Sequence, residues 1–167
     1  KKAQAHTFLE KHVQMHSNDI PSAMLLAERQ IGKDRAAAIK TYEQVLAKTP
    51  DNFVVLNNLA FLALEDKKLT RAEELAKKAV SLQRENADAA DTLAQIYIAK
   101  GDKAAALKLY EEVAARPIAN DDVYLNYVSV LLELDKKALA SRKLASREFK
   151  SEAAKQRAES LKQQYGL

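Results

Sequence analysis

Between residues 56 and 79 the apolar positions fall at steps of three and four. Leu56, Leu59, Ala60 and Ala63 make one stripe, and Ala72, Leu75, Ala76 and Ala79 a second. Such steps place side chains on one face of an α-helix. The pattern predicts two amphipathic helices that face each other. Small side chains dominate the facing positions, so the two axes can approach closely.

The pattern recurs. AAAIKTYEQVLAKTPDN, residues 36–52, returns as AAALKLYEEVAARPIAN at 104–120, a spacing of 68. TRAEELAKKAVSLQREN, residues 70–86, fits midway in the same register. Ala38, Ala72 and Ala106 then share a position. So do Val45, Ala79 and Val113, and the ends Asn52, Asn86 and Asn120. Upstream, Leu25, Leu59 and Leu93 coincide, followed by Leu26, Ala60 and Ala94. The period is therefore 34, with two helices per unit. A pair this small cannot bury its own apolar face and must stack on its neighbours.

A 34-residue helix pair is the signature of the tetratricopeptide repeat, and the chain resembles that family over nearly all its length. The third unit carries it best: Leu93-Ala94, Tyr97, Gly101-Asp102, Ala106, Tyr110 and Pro117. The resemblance implies an all-α superhelix, a solenoid of antiparallel helix pairs. The units are 19–52, 53–86 and 87–120, then a divergent fourth over 121–150. Residues 151–167 form a capping helix, with Ser151 as N-cap and Gly166 as stop. Residues 1–18 read as the second helix of an upstream unit, with Phe8 at the packing position that Tyr42 holds one period later. The chain, which starts KKAQAH, reads as a piece of a longer protein.

In this family the first helices of the units line a concave groove that binds peptides or partner proteins. The implied lining is Met24, Ala27 and Ile31 in the first unit, and Asn57, Asn58, Phe61 and Glu65 in the second. The third supplies Asp88, Asp91, Thr92 and Gln95, and the fourth Leu125, Asn126 and Ser129. Phe61 either anchors a partner or packs on the next unit. Asn58 and Asn126 either bond a peptide backbone or give local polarity to an exposed helix. The clamp that holds chaperone carboxyl termini needs basic residues where Ala23, Ala27, Asp88 and Thr92 stand. Only its Asn, at 58, is present.

Composition agrees with the helical reading. Apolar residues are 47% of the chain and charged residues 30%, while Gly and Pro number three each. So few turn-formers leave little room for the many tight turns of an all-β fold. The absence of Cys excludes disulfides and thiolate chemistry. No apolar run approaches the ~20 residues of a transmembrane helix.

Candidate chemistry is sparse. His12 and His16 share a helix face, but a metal site needs further ligands, and Glu10 points elsewhere. There is no glycine-rich phosphate loop and no serine elbow. Glu73-Glu74 and Glu111-Glu112 are adjacent, so they diverge around a helix and cannot work as a pair. The sequence predicts no enzyme, metal or small-molecule cofactor.

Charge is uneven. Residues 136–162 hold nine Lys or Arg against Glu148, Glu152 and Glu159, a local +6, while the remainder carries 18 basic and 20 acidic residues. A basic helix attracts polyanions, but Phe149 is its one aromatic, which argues for a solvated cap and against nucleic acid.

The expected function is a non-catalytic interaction scaffold for a protein or peptide partner. Residues 57–102 are similar to repeats of bacterial lipoproteins associated with exosortase (PEP-CTERM) sorting. That similarity implies an envelope or periplasmic place and a role in exopolysaccharide or sorting assemblies; the alternative is cytoplasmic. Other readings are a docking or regulatory arm of a larger enzyme, polyanion binding by the basic tail, and a homodimer through exposed terminal helices.

Overall fold

The computed structural model describes residues 2–167, with side chains from His6 onward. Among the described residues there are ten α-helices and no strand. They form two compact units, Lys1–Leu82 and Gln83–Leu167. The first holds α1 (Lys2–Met15), α2 (Ile20–Ile31), α3 (Arg35–Lys48), α4 (Phe53–Glu65) and α5 (Leu69–Leu82). The second holds α6 (Ala87–Ala99), α7 (Lys103–Val113), α8 (Asp121–Glu133), α9 (Lys137–Ala145) and α10 (Glu152–Tyr165). Helices pack as the pairs α2–α3, α4–α5, α6–α7 and α8–α9, and α10 lies on α8 and α9. Three-residue connections within each pair make its members antiparallel.

Side-chain caps set where most helices begin. Asp19, Asp34, Asn52, Asn86, Asp102, Asn120 and Ser151 each accept a hydrogen bond from a backbone N–H of the first turn. One such cap contributes about 1 kcal/mol. Asn52, Asn86 and Asn120, which end the sequence repeat, thus start the next first helix. The first helices α4, α6 and α8 stop by a shared turn. Lys68, Asp102 and Lys136 donate N–H to the carbonyls of Ala63, Tyr97 and Leu131, each at 2.8 Å. The residue before each, Lys67, Gly101 or Asp135, has φ of +59°, +85° or +57°. Glycine takes that conformation without cost; Lys and Asp do not.

Small side chains sit where the helices meet. Ala38, Ala60, Ala72, Ala76, Ala79, Ala94 and Ala106 are fully buried, as are Tyr42 and Tyr110. Helix α1 departs from the sequence expectation. Phe8, predicted to pack as Tyr42 does, is 73% exposed. A cavity of about 600 Å³ instead lies between α1 and the α2–α3 pair, lined by Val13, Ile20, Leu26 and Val45 among others.

Long cations in or just after the second helices reach back to earlier connections. Lys48 donates to the Ser17 carbonyl, and Lys78 to that of Pro50 at 2.8 Å. Arg116 pairs with Glu85. Arg147 bonds the Ile118 carbonyl at 2.7 Å and Asp121 at 2.5 Å.

Candidate functional site

In the first unit the exposed side of α4 is partly apolar and open. Phe61, near the middle of α4, is 48% exposed. Asn57 and Asn58 flank it, half-buried, one turn earlier. The Asn58 amide donates to the Tyr42 hydroxyl at 2.9 Å, which ties this face to the buried ring of α3. Burial pushes the Tyr42 phenol up, and the Asn58 bond opposes that shift. Asn57 Oδ1 is buried and has no hydrogen-bond partner among the described residues. Glu65 closes the far end, 3.3 Å from Arg35, which also reaches Asp66 at 3.2 Å. Met24 and Ile31 are half-buried on α2.

In the second unit the face formed by α6 and α8 is polar and bonded to itself. The Tyr110 hydroxyl donates to Asp91 at 2.5 Å and accepts from Gln95 at 3.2 Å. Asn126 donates to the same Asp91 oxygen at 2.9 Å. Its own carbonyl accepts from Arg157 of α10 at 2.6 Å. Burial raises the Asp91 carboxyl above its ordinary range, against the pull of the bonds from Tyr110, Asn126 and Gln95. Tyr110 is raised as well, by burial and by the neighbouring Asp91 charge. Asp88 is exposed and accepts from Asn120 at 2.9 Å.

Three residues expected to line the groove do not reach a surface. Ala27 is fully buried on α2, a helix that packs against α3. Leu125 is fully buried in the core of the second unit. Thr92 is 7% exposed, and its hydroxyl donates to the Asp88 carbonyl of its own helix. Ser129 likewise turns back, donating to the Leu125 carbonyl at 2.8 Å. Met24, Asn57, Asn58, Phe61, Glu65, Asp91, Gln95 and Asn126 remain partly or fully accessible.

The residues set aside for chemistry stay apart from these faces. His12 and His16 have ring centroids 4.7 Å apart, and His12 Nε2 lies 2.9 Å from Asp19. That contact, with two from Ser22, brings the Asp19 carboxyl down to about 2. Glu10 faces His6 at 3.4 Å. Among the described residues no three His, Cys, Asp or Glu are grouped to hold a metal, and no helix is long and apolar enough to cross a membrane.

Much of the C-terminal basic charge is engaged within the unit. The Arg147 guanidinium lies 4.3 Å from the Tyr124 ring centre and binds Asp121. Lys143 sits 4.7 Å over Tyr127, which stacks on Tyr110. Lys155 and Lys162 face Glu152 and Glu159 of their own helix. Lys136, Lys137, Arg142 and Lys150 are exposed. The Arg147 and Lys143 contacts were not legible beforehand, since each joins residues from different helices or a loop.

Two family models, each described as tetratricopeptide repeat, match residues 31–96 and 86–116. Together they span just over half of the chain. No curated protein matches its sequence. Among solved structures it is similar to a crystal structure of MamA, with a TM-score of 0.71 and 15% identity over 96% of this chain and 90% of that one. It is also similar to MamA 41-end from Desulfovibrio magneticus RS-1. There the TM-score is 0.72 and the identity 14%, over 86% of this chain and 81% of that one. At such identity the likeness is one of fold.

Proposed function

Because the chain belongs to the tetratricopeptide repeat family, we propose that it is a non-catalytic scaffold that binds a peptide segment or partner protein on the faces of its first helices. The repeat frame is the one read from the sequence: 19–52, 53–86, 87–120, a divergent 121–150 and a cap over 151–167. One observation carries the proposal. Phe61 leaves half its ring in solvent on a helix whose neighbouring amides are half-buried. An aromatic with a dry flank and a polar border is how interface anchors are built. Affinity capture with the wild type and with Phe61→Ala tests it. The variant should lose partners that the wild type retains; identical captured sets would overturn the assignment.

The envelope and surface-polysaccharide setting rests on the sequence resemblance alone. The alternative reading is a docking or regulatory arm of a larger enzyme. Self-association has one observation in its favour: Phe8 and Met15, seven apart on α1, are each 73% exposed. Light scattering on Phe8→Ser/Met15→Ser protein tests that reading, which predicts a smaller mass than wild type at the same concentration.

A further inference from the structure

The protein carries a net charge of +4, yet the helices of its α6–α8 face are acidic. Helices α6 and α8 hold Asp88, Asp91, Asp121, Asp122 and Glu133, with no Lys or Arg. Asp121 is answered by Arg147 and Glu133 by Lys103, 2.9 Å away. Asp88, Asp91 and Asp122 remain on the α6–α8 face.

Beside them stands a cation that comes from another element. Arg157 projects from α10 and bonds the Asn126 carbonyl at 2.6 Å, with its second nitrogen 3.7 Å from Asp122. Its positive charge also bears on Tyr110. Arg157 is 39% exposed. Helix α10 has separate means of attachment: Ala154 and Ala158 are buried, and Leu161 and Tyr165 pack on the core of the unit. The helix therefore does not need this guanidinium to stay docked. Asn126 is the counterpart of Asn58 two periods earlier. In the first unit that amide serves Tyr42.

We infer that Arg157 is a built-in placeholder on the α6–α8 face: it holds in the free chain the position that an Arg-bearing, basic segment of a partner takes on binding. The inference rests on the scaffold reading above and names the partner's chemistry. A guanidinium suits the place because its fork reaches an amide carbonyl and a carboxylate together. Complementary charge would also speed encounter, and salt would weaken it. A partner with acidic segments would meet Asp88, Asp91 and Asp122 and be repelled.

Fluorescence anisotropy on the full chain tests this with two labelled peptides of about nine residues. One is a Gly-Ser-Arg repeat and the other its Gly-Ser-Glu counterpart. The Arg peptide should bind and weaken with added salt; the Glu peptide should not bind. Arg157→Gln should tighten the Arg peptide about two- to fivefold, and Asp122→Asn should loosen it by a similar factor, the worth of one exposed charge pair. Thermal melts of both variants confirm folding. Unchanged or weaker binding by Arg157→Gln makes Arg157 a helix staple and overturns the inference, as would equal binding of both peptides. If that happens while Phe61→Ala still alters the captured set, the scaffold reading survives; if Phe61→Ala also changes nothing, both fall.

Discussion

The two units put the same repeat position to different use. In the first, the buried tyrosine of α3 is met by a single amide, Asn58, and the surface beside it is left to Phe61. In the second, the tyrosine of α7 is met by Asp91 and Gln95, and Asp91 is met by Asn126. One face keeps an open apolar ring; the other spends its polar groups on each other. The repeat specifies where helices touch. What a face offers is decided by the few positions the repeat leaves free.

The largest expected effect tests which positions those are. Leucine in place of Ala94 or Ala27, both fully buried, should overpack a helix contact and cost up to about 3 kcal/mol. A silent melt for Ala27→Leu would return that residue to the open face. Next, Tyr110→Phe should cost about 2 kcal/mol, because it strips a hydroxyl donor from Asp91, a charged and half-buried acceptor. Tyr42→Phe should cost about 1 kcal/mol or less, since half-exposed Asn58 can turn to water. Equal losses by urea denaturation would erase the contrast between the units.

Titration sharpens it further. Asp121 is held below the ordinary carboxylate range by the Lys150 N–H and the Arg147 side chain. Its contribution is therefore present above the unfolded value and is lost as pH falls through the lowered folded one. Asp91 is shifted upward, so its contribution is largest in acid and declines as pH rises through the raised value. Asp121→Asn should then cost about 2 kcal/mol at neutral pH and progressively less as pH falls below the ordinary carboxylate range. Asp91→Asn should become relatively more favourable as pH rises. Melting curves across pH that move in parallel would refute the opposite signs. The smallest effect is in the turns. Lys67→Gly relieves a positive φ and should add up to about 1 kcal/mol, whereas Gly101→Ala should lose a similar amount.

The helices and their partners were readable because they depend on period. Leu59, Ala60, Ala72 and Ala79 recur at helical steps, and all are buried. The turn at 67, 101 and 135 recurs as geometry, but only one of the three positions is glycine, so the sequence hid it. Leu25 matches Leu59 and Leu93 in register yet is 43% exposed against their 4%, and nothing in the structure explains why. The groove positions failed where family register ignores neighbours. Ala27, Thr92 and Leu125 lie where lining residues belong, but local packing or a bond within the helix takes them inside. Phe61 is exposed as the contact reading required; whether a partner uses it is the subject of the capture experiment. The Asp91–Tyr110–Asn126–Arg157 chain joins four helices, and no spacing rule reports it.

The cations that reach backwards have a practical result for anyone recombining such arrays. Lys48 closes on Ser17, Lys78 on Pro50, Arg116 on Glu85 and Arg147 on Ile118. Each link spans roughly one period but straddles the border between consecutive repeats. Cutting at the sequence border would leave every transplanted module with a lysine or arginine lacking its loop, and its neighbour with a loop lacking its fastener. The exchangeable block is the connection together with the cation some thirty residues downstream.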